Sequence, residues 1–141
     1  MSVVALVDAI NAWDVEESQL ARRKAGSDGV RRFAMDLASA HPQKVADRSV
    51  PATDADADAL LRPLLAAQRE TMERLAAVPA GPAFDRAFVG AQIERHERVL
   101  ATVRGLASSV GSRDLDAVLQ RTVAQVEQHL REARALQQRL P

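Results

Sequence analysis

The chain carries three histidines, His41, His96 and His129, and no cysteine. A neutral imidazole is a good ligand for zinc, copper, nickel or iron, and its proton comes and goes near neutral pH. Whether the three can act together depends on where their elements aim them. Each falls on a stripe of apolar residues recurring at steps of three and four. Val30, Phe33, Ala34 and Leu37 lead to His41. Val89, then Gln92 or Ile93, lead through His96 to Leu100 and Val103, with Asp85 upstream on the same stripe. Leu115, Val118, Leu119, Thr122 and Val126 lead through His129 to Ala133 and Leu136. Each histidine stands where a leucine would be expected. A further stripe, Leu6 or Val7, Ile10, Asp14, Glu17 and Ala21, makes Asp14 or Glu17 the acid facing inward.

The elements that must position these residues are helices. Ala, Leu, Arg, Gln and Glu, the good helix formers, dominate, and alternating strand-like runs are absent. Glycine, serine and proline break the chain near Gly26–Gly29, Ser49–Thr53, Pro79–Pro82 and Gly111–Ser112. The cuts predict helices over about 3–25, 28–48, 54–78, 82–109 and 113–140. Ser27 or Asp28 caps the second, Thr53 with Asp56 forms a capping box for the third, Pro82 opens the fourth and Ser112 caps the fifth. Asp54, Asp56 and Asp58 are spread around their helix and read as solvated acids at its positive end rather than as a metal site. Pro63 either sits in the first turns of the third helix or kinks it, and Pro42 bends or ends the second beside His41. Short connections make sequential helices antiparallel, so the fold class is an all-α, up-and-down bundle of four to five helices in one domain, residues 1–141.

Height then tests convergence. At 1.5 Å per residue, His41 and His96 lie roughly 20 Å below the tops of their helices and His129 roughly 17 Å, with Asp14 at a similar level. Three imidazoles and one carboxylate therefore fall in one layer. Buried imidazoles need partners for every lone pair and N–H. One divalent transition metal (Zn, Cu, Ni or Fe) on His41, His96, His129 and Asp14 or Glu17 would satisfy them. Hydrogen bonds to carbonyls, Gln side chains or water would also do so. A di-iron centre is not expected, because it wants Glu-x-x-His, whereas Glu94 and Glu127 stand two residues before His96 and His129 and point to the other side of their helices.

Other chemistries find little support. Lys plus Arg equals Asp plus Glu, 19 against 19, so no excess of cations awaits nucleic acid or an anionic membrane. Base-stacking aromatics are scarce. Nucleotide-binding glycine loops, nucleophile elbows and zincin motifs are absent, and Ser108 and Ser109 have no base placed for them. Trp13 reads as a packing anchor, and Arg22, Arg23, Lys24, Arg31 and Arg32 as a solvated basic corner. No apolar run is long enough to span a membrane, and residues 1–13 read as helix rather than signal peptide, which leaves a cytoplasmic location open.

Four blocks in order resemble the domain-of-unknown-function family 4142. They are Asp14-Val15 through Ala21, Val30 through Leu37 to His41, Gly81-Pro82-Ala83-Phe84-Asp85 to His96, and Val126-Glu127-Gln128-His129-Leu130. The sequence departs from the family pattern at Asp14 (usually Glu), Ala40 (often Asp), Phe88 (commonly Tyr) and Ala124 (commonly Pro). The resemblance implies a ferritin-like bundle exported to the periplasm or cell envelope. It supplies no activity. The candidate partners are a metal ion, from the histidine geometry, and a second copy of the chain or an envelope protein.

Overall fold

The computed structural model describes residues 3–39, 55–108 and 113–141. They form five helices: α1 (Val3–Lys24), α2 (Asp28–Ser39), α3 (Ala55–Ala77), α4 (Pro82–Ala107) and α5 (Arg113–Arg139). Among the described residues the only extended pairing is an isolated bridge between Ala25 and Gly81. The architecture is the all-α bundle that the apolar stripes predict. The expected continuation of helix 2 to 48, the Thr53 capping box and the Ser112 cap lie outside the described residues.

Local chemistry explains the helix ends. Ser27 Oγ accepts the Val30 N–H at 3.2 Å, so Ser27 rather than Asp28 caps α2. Asp28 instead pairs with Arg31. Pro82 occupies the first turn of α4 after Gly81, whose φ of 107° an L side chain would strain to adopt. Lys24 donates to the carbonyls of Leu75 and Ala76 at the C-terminus of α3, where the helix dipole favours a cation. Pro63 lies inside α3 with its side chain at the surface, and the helix continues through it.

Ion pairs give the helix directions. Arg104 pairs with Glu127 and Arg134 with Glu97, an order that only antiparallel α4 and α5 produce. Arg95 meets Asp14 while Gln92 meets Glu17, so α1 is antiparallel to α4 as well. α4 thus runs between α1 and α5, with α3 also against it and α2 against α1.

The turns at 25–27 and 78–81 are stitched together. Gly81 N–H donates to the Lys24 carbonyl at 2.8 Å, and Gly26 N–H donates to Asp85 Oδ1 at 2.9 Å. A Cβ on Gly26 would lie 2.8 Å from Gly81 Cα and 2.9 Å from its carbonyl carbon, and backbone cannot give way as a side-chain tip can. Gly26→Ala is therefore expected to cost about 2 kcal/mol by overpacking. Urea denaturation measures this, and a midpoint unchanged from the parent would refute the close crossing.

The apolar interior divides into two clusters. One gathers Leu6, Ile10, Trp13, Val99, Leu119 and Val126 with their neighbours. The other gathers Leu20, Phe33, Leu37, Phe84, Phe88 and Ala133 with theirs, and holds all the buried apolar residues of α2. Between them, in sequence and in space, lies a polar layer.

Candidate metal centre

The layer consists of Asp14, Glu17 and Ser18 on α1, Gln68 on α3, Gln92, Arg95 and His96 on α4, and His129 on α5, all buried. On α1 and α4 the layer falls where one apolar cluster ends and the other begins, between Trp13 and Leu20 and between Ala91 and Val99. On α5 His129 stands beside Leu130, the last residue of the first cluster before Ala133 opens the second. Polar groups so placed forgo the burial of an apolar side chain, worth roughly 1.5–3 kcal/mol each. They hold one another in place through hydrogen bonds and charge.

Asp14, His96 and His129 each offer one ligand atom within 4.8 Å of the other two. The rings of His96 and His129 meet edge to face with centroids 5.5 Å apart. His96 Nδ1 lies 2.7 Å from the Gln92 carbonyl, four residues back on its own helix. The carbonyl can only accept, so Nδ1 carries the proton and Nε2 keeps its lone pair. Fixing the tautomer through the other ring nitrogen is what protein metal sites commonly do for their histidines. Burial, reinforced by the Arg95 charge, pushes the His96 pKa down to about 3. Burial also lowers that of His129, against the opposing pull of Asp14. At neutral pH both rings are uncharged, the form that binds metal.

Arg95 stands at the centre of the charged part of the layer. Its Nη2 donates to Asp14 Oδ1, lies 3.2 Å from Glu17 Oε2 and donates to Gln92 Oε1 at 3.0 Å. Gln92 Nε2 donates in turn to Glu17 Oε2. Burial alone would lower the Arg95 pKa, but Glu17 and Asp14 outweigh it and hold the guanidinium above its ordinary value. Two groups stay without a partner: Glu17 Oε1 and Arg95 Nε. Gln68 also keeps both amide atoms unpartnered, beside a cavity of about 20 Å³ lined by Trp13, Thr71 and Arg95. That space suffices for one water.

The sequence expectations meet the structure as follows. His96, His129 and Asp14 come together as the height argument requires. Of the two candidate acids on α1, Asp14 reaches the histidines, whereas the Glu17 carboxylate is engaged by Gln92 and Arg95. His41 lies outside the described residues. Glu94 and Glu127 are turned outward, toward Arg74 and Arg104. Trp13 is a core residue, and Asp85 serves the turn at Gly26. Sequence reasoning missed Arg95 and Gln68. For Arg95 a signal existed: Phe88, Gln92, Arg95, Val99 and Val103 form a second stripe on α4, all buried.

These features define a helical bundle with a histidine-bearing polar layer across its core. The match to a family model, over residues 1–136, agrees with this: the chain belongs to the family described as domain of unknown function (DUF4142). No curated protein and no solved structure matches the chain.

Proposed function

We propose that this protein binds one divalent transition-metal ion (Zn, Cu, Ni or Fe) through His96, His129 and Asp14, and serves metal handling or stress protection in the periplasm or cell envelope. The observation that carries the reading is the buried trio itself: three ligand atoms within 4.8 Å, two of them on neutral imidazoles, one with its tautomer fixed. Imidazole with carboxylate suits borderline transition metals better than calcium or magnesium, which prefer all-oxygen shells. On sequence spacing, His41 is the candidate for a fourth ligand. The envelope location rests on the family resemblance, and the ferritin-like description on the helical bundle together with that resemblance.

A second reading has its own observation. Arg95 already pairs with Asp14, and His96 already has Gln92, so the layer could be a hydrogen-bonded core that specifies helix register without metal. Elemental analysis of untagged protein, paired with His96→Ala, separates the two. Metal binding predicts about one equivalent per chain, its loss in the variant, and a thermal midpoint that falls on chelation. Metal-free protein whose midpoint is indifferent to every added divalent ion would leave the structural reading standing.

A further inference from the structure

Three acceptors crowd one nitrogen in the polar layer. Arg95 Nη2 faces Asp14 Oδ1, Glu17 Oε2 and Gln92 Oε1, although it has only two protons to give. On the same two side chains, Arg95 Nε and Glu17 Oε1 are buried and unused. A bidentate guanidinium–carboxylate fork between these two side chains would use both idle atoms beside the 3.2 Å approach of Nη2 to Glu17 Oε2. Asp14 and Gln92 both accept from the same Nη2, and of the two only Asp14 is an ion-pair partner competing with Glu17 for Arg95.

We infer that Arg95 is a place-holding cation: without metal it is shared between Asp14 and Glu17, and when a divalent ion takes Asp14 it passes wholly to Glu17. The inference rests on the metal-binding reading and adds positioning roles for Arg95 and Glu17. Charge supports the exchange. Among the acidic and basic side chains of the layer, one guanidinium serves two acids, Asp14 and Glu17. A divalent ion entering while Arg95 stayed on Asp14 would bring two cations onto one carboxylate. With Arg95 on Glu17, that pair balances by itself and Asp14 is left to the ion. Glu17 is then the residue that receives the displaced charge, which explains a fully buried acid on α1 that does not reach the histidines.

The Nε–H resonance of Arg95 reports the exchange directly, because a new bond to carboxylate moves that proton downfield and slows its exchange with water. The 141-residue chain is titrated with Zn(II), with bound zinc measured independently by elemental analysis. The expected result is a downfield shift of Arg95 Nε–H that saturates with zinc. Glu17→Gln should abolish the shift and weaken zinc binding roughly tenfold, the usual range for a group supporting a ligand. Zinc bound in stoichiometric amount with the Arg95 signal unmoved overturns the hand-over and leaves the metal reading intact. No zinc bound at all overturns both. The wild-type titration stands even if Glu17→Gln fails to fold.

Discussion

Arg95→Met is expected to destabilise the metal-free protein by about 3–5 kcal/mol, the range found when one partner of a buried ion pair is removed. For a domain whose total stability is on the order of 5–15 kcal/mol, that is a large share. The loss has a definite origin. Asp14 and Glu17 would be left as buried carboxylates without their shared cation, and burial of unpaired charge is costly whatever fills the vacated volume. Methionine retains much of the apolar stem, so lost packing contributes little. The informative part is what metal then does. If the layer binds a divalent ion, removing the competing guanidinium beside Asp14 should tighten binding, and excess Zn(II) should restore stability. Ligand at a thousand times its Kd stabilises by about 4 kcal/mol, comparable to the loss. Urea denaturation of Arg95→Met with chelator and with zinc measures both effects. Destabilisation that zinc does not relieve would point to a structural ion pair alone.

The helices and their inward faces were legible from the sequence because apolar periodicity is a property of each helix separately. The α2 stripe of Val30, Phe33, Ala34 and Leu37 is buried as expected. So is the α5 stripe from Leu115 through His129 to Leu136. Rise per residue along each helix puts Asp14, His96 and His129 at one level, and they do meet. The same method could not choose between Asp14 and Glu17. The two lie three residues apart on one stripe, and both are buried. The choice depends on what faces each of them, and that is a property of α4. Arg95 escaped notice for a related reason. A single-stripe reading assigns an arginine next to an inward histidine to the solvent side. α4, however, packs on α5 through one face and on α1 and α3 through another, so the residue beside His96 is also interior. Gln68 had no nearby histidine to draw attention to it, and its burial follows from the position of α3 against α4.

Acid should unfold this bundle more steeply than its carboxylate ion pairs alone would require. With a folded pKa of about 3 against an ordinary 6.5, His96 binds its proton far more readily in the unfolded chain. Between those values the unfolded state carries the extra proton, so stability falls as pH falls. The slope is about 1.4 kcal/mol per pH unit for one such group. Above pH 6.5 the histidine contributes no pH dependence, and below about 3 the folded form is protonated too and the loss levels off. His129, also lowered by burial, acts with the same sign. The groups facing the two rings pull in both directions. Arg95 disfavours a proton on either ring, whereas Asp14 favours one, and Glu132 and Asp36 do so at His129. Because burial is the largest cause for both, exchange of an imidazole for a non-titrating polar side chain of similar size removes the effect at its source. Urea denaturation of chelated protein from pH 7.5 to 4 should therefore show a slope that His96→Gln reduces by about one proton. A parallel pair of curves would mean that His96 takes up its proton without leaving the fold. Zinc should steepen the same titration, since a bound ion must leave before either imidazole can be protonated, and the added steepness should vanish with chelator.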